Sequence, residues 1–311
     1  MRACVLMPAL DAERYLADAI ASVLRQSATE LELIVVDDGS TDRTLDIARA
    51  VRDERVRVLT GPNRGRAHAR NVGFAAAAAS PYVALLDADD LWDADKLAVQ
   101  LEFLDRRPDV QAVGCFMRYI ASNGRVLGRT GQTIDAADLH RIARGELAPF
   151  PISSCLVVRR EAFTAVGGFD PSLREAEDLD FLARIARRGA IACVPEVLGS
   201  YRIHPESAMA RHRVRVNTYA RFVRQRLAAG DAGRMLTWDQ FSAAYRPTWR
   251  ERSRDRTECW YRSAALWYGE GRRIRAMGYA ALAALAAPSY TLRRLYRQRF
   301  AGAGAGTEHR H

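Results

Sequence analysis

Short apolar runs alternate with helix-period stretches along the first hundred positions. Residues 3–7 (ACVLM) form one apolar run, closed by Pro8. Across 11–26, Tyr15, Leu16, Ala19, Ile20, Val23 and Leu24 recur at the spacing of a helix with one buried face. Residues 31–36 (LELIVV) predict a second strand, stopped by Asp37-Asp38-Gly39. Ser40, Thr41 and Asp42 are helix-capping types, and Leu45, Ile47, Ala48 and Val51 continue a helix. A third strand at 56–59, a helix at 65–79, a fourth strand at 82–86 and a helix at 92–106 follow. Strands separated by helices predict βαβ units, hence an α/β fold with a doubly wound, mostly parallel sheet flanked by helices. Ligands of such sheets bind beyond the carboxyl ends of the strands, where the strand order reverses. Polar residues gather at three of those ends: 8–11, Asp37-Asp38, and Asp87-Ala88-Asp89-Asp90.

Past residue 110 the pattern is less regular. Residues 110–119 and 156–159 are strand-like, and 135–147 predicts a helix over the site. Gly167-Gly168-Phe169-Asp170-Pro171 predicts a turn, and Glu177-Asp178 opens a helix that runs to Arg188 and ends at Gly189. Strand signals stop after His204. Residues 205–300 read as amphipathic, arginine-laced helices carrying Trp238, Trp249, Trp260 and Trp267. The stretch 301–311 (AGAGAGTEHRH) predicts a disordered tail.

Composition narrows the class. The 311 residues are 49% hydrophobic and 27% charged, ordinary for a globular protein. No apolar run reaches the ~20 residues of a membrane span; 277–288 comes closest and is alanine-rich. The first ten residues lack the long apolar region of a signal peptide, so a cytoplasmic protein is expected. Cys4, Cys115, Cys155, Cys193 and Cys259 are scattered with no C-x-x-C pair, which argues against a zinc site or disulfide framework and predicts reduced, mostly buried thiols.

The net charge of +10 is uneven. From Pro205 onward 21 arginines face 8 acids, giving +13, while the first 204 residues carry 26 basic and 29 acidic groups, giving −3. Such a basic segment suits an anionic lipid surface, a polyanionic glycan or nucleic acid, or is simply a solvated helical face.

Four clusters carry candidate chemistry. Asp87 and Asp89, two residues apart after a strand, are oxygen donors able to converge on Mg²⁺ or Mn²⁺ whose other ligands are phosphates; equally, such acids cap helices. In 36–42 (VDDGSTD), Gly39 permits a tight turn, the following helix start aims N–H groups at the rim, and Asp38 could accept from an imide N–H; a well-capped connection reads the same way. Arg64, Arg66 and Arg70 begin a helix and suit phosphate oxygens or a base face, or else form a solvated turn. Glu177-Asp178 in a first helical turn is either a cap or an ionised carboxylate available as a general base.

In this order and spacing the pieces resemble glycosyltransferase family 2, inverting enzymes with the GT-A nucleotide-sugar fold. The resemblance rests on 8–13 (PALDAE), 36–42, Asn63-Arg64-Gly65, 69–73 (ARNVG), 86–90 (LDADD), 167–170 (GGFD) and Glu177-Asp178, and covers residues 1–204. It implies a GT-A catalytic domain over 1–204, a basic amphipathic helical extension over 205–300 and the tail 301–311. It implies that Pro8, Ala9, Leu10, Asp11, Glu13, Asp38 and Gly39 line the nucleoside pocket, with Arg70 near the base or phosphates, Asp87 and Ala88 near the ribose, and Asp89 on the metal. Asp178 would be the general base with Glu177 beside it. His204 is a second metal candidate or an ordinary surface histidine.

The implied activity is single-step inverting transfer from a nucleoside-diphosphate sugar, a UDP-sugar, to a saccharide or lipid-linked acceptor in bacterial surface glycan synthesis. Mn²⁺ or Mg²⁺ is the implied cofactor, peripheral contact with an anionic membrane is expected, and no nucleic acid partner is. The family's first motif usually reads Pro-x-Tyr-Asn, where Leu10 and Asp11 stand here. The Q-x-x-R-W motif of processive synthases is missing, so one sugar per acceptor is expected. A nucleotidyltransferase would need a glycine-rich basic loop after strand one, where this chain is acidic. A non-catalytic binding subunit would have no need of Asp87, Asp89 and Asp178.

Overall fold

The computed structural model describes residues 1–148, 152–207, 212–230 and 236–288. The expected tail at 301–311 and the end of the helical extension lie outside them.

Four strands build the parallel half of the sheet: β1 (Ala3–Ala9), β2 (Leu31–Asp37), β3 (Val56–Thr60) and β4 (Tyr82–Leu85). The helices α1 (Leu16–Leu24), α2 (Thr44–Ala50) and α3 (Arg66–Ala76) connect them. Every residue of β1, β2 and β4 is buried, which is why they read as unbroken apolar runs: strands covered on both faces need no polar alternation. After β4 come β5 (Leu91–Trp92), α4 (Lys96–Arg106), β6 (Val110–Ala121), β7 (Val126–Thr130) and α5 (Ala136–Ala143). Then follow α6 (Ile152–Cys155), β8 (Val157–Arg159), α7 (Arg160–Ala165), α8 (Glu177–Ala186) and β9 (Ala190–Ile203).

The strand order is β3-β2-β1-β4-β8-β6-β9-β5, with β7 paired to β6. β1 to β4 run parallel, whereas β8 pairs antiparallel with both β4 and β6, and β5 pairs antiparallel with β9. The chain moves outward from β1 to β3, then α3 returns it across β1 to β4. The order therefore reverses at β1, and the crevice beyond its carboxyl end is where such a sheet takes a ligand. Register sharpens this: Ala9 is level with Asp37, bringing residue 10 onward beside Asp38 and Gly39.

Two glycines fix close approaches. At Gly73 a Cβ would sit 3.2 Å from Val36 Cγ2 and 3.3 Å from Leu6 Cδ2, so α3 lies directly on β1 and β2. Gly39 has φ +81°, and a Cβ there would be 2.8 Å from the Asn63 amide nitrogen. Gly39→Ala is expected to lose about 1–3 kcal/mol in denaturant unfolding. An unchanged midpoint would show that the 61–65 loop yields freely.

The chain divides into two compact units. The first comprises Met1–Tyr119, Arg129–Arg202 and Tyr219–Ala243. It contains the sheet core and an aromatic cluster in which Tyr219 stacks on Trp238 at 3.6 Å between ring centroids, with Phe222 and Phe241 beside them. The second comprises Ile120–Gly128, Ile203–Thr218 and the described residues from Ala244 onward. Its helix Trp249–Gly269 opens with a capping box of Thr248 and Glu251. Arg213 and Asn217 face Glu258 of that helix at 3.1 and 3.3 Å.

Several elements differ from expectation. The helix expected at 11–26 begins at Leu16, because residues 11–13 are held by the loop after β2. The helix expected from 92 begins at Lys96, since Leu91–Trp92 pairs with β9 as a short strand. β9, 14 residues long, carries Pro195 and Gly199, and these broke its apolar pattern. Cys4, Cys115, Cys155 and Cys193 are buried free thiols, and Cys259 is half-buried and free. Among the described residues no helix is long and apolar enough to cross a membrane.

Candidate active site

Two loops at the carboxyl ends of β1 and β2 are laced together by their own polar groups. The Asp11 amide donates to Ser40 Oγ at 3.0 Å, Ala12 to Thr44 Oγ1 at 2.7 Å, and Glu13 to Asp42 Oδ2 at 3.1 Å. In return the Thr41 amide donates to Asp11 Oδ1 at 2.8 Å and the Arg43 amide to Glu13 Oε2 at 3.1 Å. Asp11 and Glu13 thus cross-link loops through their carboxylates. Pro8 and Ala9 are buried at the end of β1, whereas Leu10 is 43% exposed.

Asp38 is buried and accepts the amides of Arg64 at 2.9 Å and Gly65 at 2.8 Å, one on each oxygen. Its neighbour Asp37 takes Thr60 Oγ1 at 2.8 Å and the Ser40 amide at 3.2 Å. The Asp38 bonds anchor the start of α3, whose first and fifth residues, Arg66 and Arg70, begin and extend a charged cluster.

In that cluster the Arg70 guanidinium is fully buried. It donates through Nη2 to Asp87 Oδ1 at 2.7 Å and through Nη1 to Glu177 Oε1 at 2.9 Å, with its plane over Phe169 at 5.0 Å. Arg66 reaches Glu177 Oε1 at 3.4 Å and Glu175 at 3.2 Å. One guanidinium therefore bridges the strand-end acid Asp87 to the pair Glu177-Asp178. Burial alone would raise the Glu177 pKa, but Arg66 and Arg70 outweigh it and hold the group below its ordinary range. Asp178 is half-buried, and burial followed by the adjacent Glu177 charge pushes it up to about 6, against the pull of both arginines. It has a proton affinity close to neutrality, as a general base requires.

The backbone is strained at this place. Among the described residues only Asp11 (φ 47°) and Ala176 (φ 58°) take the left-handed region without being glycine. One opens the β1 loop and the other immediately precedes Glu177-Asp178. Asn71 clamps the turn at 167–171: its Nδ2 donates to Phe169 O at 2.8 Å and its Oδ1 accepts the Phe169 amide at 2.9 Å.

The turn Asp87–Asp90 is gripped from two sides. Ser154 Oγ accepts the Asp87 amide at 3.2 Å and donates to Asp90. The Arg202 amide donates to the other Asp90 oxygen at 2.7 Å, and Arg202 Nε donates to Asp89 O at 2.8 Å, while its guanidinium lies over Tyr15 at 4.5 Å. Asp90 is buried; burial first, then Asp89 and Asp87, raise its pKa well above the usual range. Asp90 thus neither caps α4, whose first turn follows Asp95, nor faces outward. Ala88 is buried, and Asp87 and Asp89 are half-buried.

Asp87 and Asp89 are hard oxygen donors that fit Mg²⁺ or Mn²⁺. Among the described residues no three His, Cys, Asp or Glu side chains converge as a complete metal cage. A divalent ion here would take its remaining ligands from diphosphate and water. His204 belongs to the second unit, where it is buried with Nδ1 3.5 Å from Glu206.

Ser154, Glu175 and Arg202 had no sequence signal. Each meets its partner across tens of residues, and a lone serine or arginine in an arginine-rich chain announces nothing.

Comparison with known proteins identifies the family. An uncharacterised glycosyltransferase of Nostoc sp. is 32% identical over 213 residues, covering 66% of this chain and 65% of that protein. The UDP-Glc:alpha-D-GlcNAc-diphosphoundecaprenol beta-1,3-glucosyltransferase WfgD of Escherichia coli is 37% identical over 101 residues, covering 32% of this chain and 40% of that protein. Among solved structures, S. aureus TarS 1-349 in complex with UDP-GlcNAc has a TM-score of 0.60 at 18% identity, covering 89% of each chain. The mannosyltransferase PcManGT of Pyrobaculum calidifontis, in complex with GDP-Man and Mn²⁺, has a TM-score of 0.57 at 22% identity, covering 97% of this chain and 80% of that one. These structural likenesses establish the fold, GT-A. The family model for glycosyl transferase family 2 matches residues 4–167, from β1 to the turn that Asn71 clamps. The chain belongs to glycosyl transferase family 2 and is a glycosyltransferase.

Proposed function

We propose that this glycosyltransferase moves a sugar, with inversion, from a UDP-sugar to a saccharide or lipid-linked acceptor in bacterial surface glycan assembly. It would act from the cytoplasm, at the inner face of the cell membrane. The observation that carries the reading is Asp178: a half-buried acid pushed up to about 6, next to a Glu177 carboxylate tied through Arg70 to Asp87. These contacts support a proton acceptor beside the crevice at which the strand order reverses.

On this reading Pro8, Ala9, Leu10, Asp11, Glu13, Asp38 and Gly39 form the nucleoside side, and Asp87 with Ala88 meets the ribose. Asp89 would hold Mn²⁺ or Mg²⁺. When bound, the ion neutralises charge on the departing diphosphate. Asp178 accepts the proton of the acceptor hydroxyl as that oxygen forms a bond to the anomeric carbon. The bond from that carbon to the diphosphate breaks on the opposite face, and its electron pair leaves with the diphosphate. One displacement inverts the centre and needs no second carboxylate nucleophile. Arg70 and Glu177 are positioning residues, since both are consumed by ion pairing. The basic helices are the part of the chain suited to an anionic membrane.

The name of the Escherichia coli relative pairs a UDP-sugar with a polyprenyl-diphosphate acceptor, and the TarS structure holds UDP-GlcNAc; both support the donor class. Thermal shift against a nucleotide-sugar panel tests it. A UDP-sugar at a hundredfold excess over Kd should stabilise the protein by about 2.7 kcal/mol, with a Mn²⁺-dependent part that Asp89→Ala removes. A response to GDP-sugars alone would refute the UDP assignment. A full response without any divalent ion would refute the metal.

A further inference from the structure

The second unit carries a surface that donor chemistry does not use. Its helices Trp249–Gly269 and Arg273–Ala286 form a pair joined through Gly271, at φ +74°, with the Arg272 amide donating to Trp267 O at 2.8 Å. On the later helix Ala276 and Ala283 are buried and Tyr279 is half-buried. Ile274 is 88% exposed, Met277 70%, Leu282 44% and Leu285 81%. At 3.6 residues per turn these four, with Gly278 and Ala281, occupy one stripe of about 140° opposite the buried alanines. Arg273 and Arg275, both exposed, flank it on either side.

Charge on the earlier helix is sorted. Glu251 is spent in the cap, accepting the Thr248 amide at 2.7 Å, Asp255 accepts Asn217 at 2.8 Å, and Glu258 faces Arg213. Arg250, Arg252 and Arg256 are left on the exposed side. A cleft of about 280 Å³ is lined by Trp249, Arg252, Ser253, Arg256, Trp260 and Ala286. It joins the start of one helix to the end of the other, so the pair is antiparallel and the cleft adjoins the Leu285 end of the stripe.

We propose that this helix pair is a membrane-docking surface. The Ile274–Leu285 stripe enters the headgroup–acyl boundary of an anionic bilayer, and the Arg252–Arg256 cleft takes a lipid phosphate. An amphipathic helix too short to span, apolar on one stripe and arginine-edged, is built to lie in the interface plane. Tryptophan favours that boundary, and guanidinium groups pair with phosphate oxygens. The sequence supports the sign of the charge: residues 289–300 add four arginines and no acid. A second copy of this chain would bring arginine against arginine, which disfavours self-association as the occupant.

This deepens the reading of a membrane-borne acceptor and rests on it, so the test measures nucleotide response alongside vesicle binding. The full chain is sedimented with vesicles of phosphatidylcholine alone or with added phosphatidylglycerol. Binding to the anionic vesicles should exceed neutral binding by about tenfold or more. Ile274→Glu/Leu285→Glu, with unchanged circular dichroism and unchanged thermal response to nucleotide sugar, should abolish both. Arg252→Gln/Arg256→Gln should remove the anionic preference. Equal sedimentation with both compositions, variants that bind like the parent, or a concentration-dependent dimer lost in Ile274→Glu/Leu285→Glu would each overturn the proposal. Vesicle binding with no nucleotide response sinks the donor assignment instead.

Discussion

Asp178→Asn is expected to slow sugar transfer by ~10²–10⁴-fold while making the protein more stable at pH 8. Both effects follow from one cause. Burial and the adjacent Glu177 raise the Asp178 pKa to about 6, so its ionised form is disfavoured by the fold. Below the ordinary carboxylate pKa the group is neutral whether the chain is folded or not, and it costs nothing. As pH rises through about 6 the folded protein must carry the charge, and stability is lost. Asn removes that cost and still accepts the Leu179 amide, which now donates to Asp178 at 2.8 Å. Allowing for the side chain's partial exposure, the gain at pH 8 is of order 1–2 kcal/mol, shrinking toward zero near pH 4. The parent's kcat/KM should rise with pH through about 6 and then level off. Melting curves at the two pH values, with a pH–rate profile, check all of this. Undiminished transfer by Asp178→Asn would move the base elsewhere; a lower melting temperature at pH 8 would mean the acid is not held up by burial.

Arg70→Met should be the most destabilising single change at the site. It leaves Glu177 buried without its 2.9 Å partner and Asp87 without its 2.7 Å partner, and Arg66, at 3.4 Å, replaces only part of the first. Breaking a buried pair from one side costs about 3–5 kcal/mol, a fall of roughly 10 °C in Tm for a chain of this size. Lysine should rescue poorly, because one ammonium cannot reproduce a fork that serves two carboxylates. The double variant Arg70→Met/Glu177→Leu should lose clearly less than the sum of its single variants. Strict additivity in that cycle would show the ion pair to be energetically idle.

How far the chain's organisation could be read depended on sequence separation. The βαβ half was legible because β1, β2 and β4 are buried on both faces and write themselves as apolar runs. The acids at their ends were legible for the same reason, as an abrupt change after such a run. β9 was not, because Pro195 and Gly199 interrupt it. The partners of the acids were hidden further: Arg70 meets Glu177 across 107 positions, and Asp90 meets Arg202 across 112. Asp11 and Glu13 look like free pocket carboxylates in the sequence, yet side chains of this kind compete for nearby amides, and both cross-link the loop after β2. Arg66 carries no distinguishing signal in so arginine-rich a sequence, and its partners Glu175 and Glu177 lie more than a hundred positions away.

The grip on the Asp87–Asp90 turn has a consequence for how this enzyme comes off the ribosome. Synthesis runs from the N-terminus, and domains generally form in that order. The loops after β1, β2 and β4 are complete once β4 and its following turn have emerged. The groups that close on them come much later: Ser154 is 64 positions beyond Asp90, Glu177 107 beyond Arg70, and Arg202 113 beyond Asp89. A nascent chain that stops short of α6 therefore displays three crowded acids with neither clamp in place, and one that stops short of β9 has only the Ser154 clamp. Assembly of the site waits for β9, and a product truncated before it is a charged, half-closed sheet.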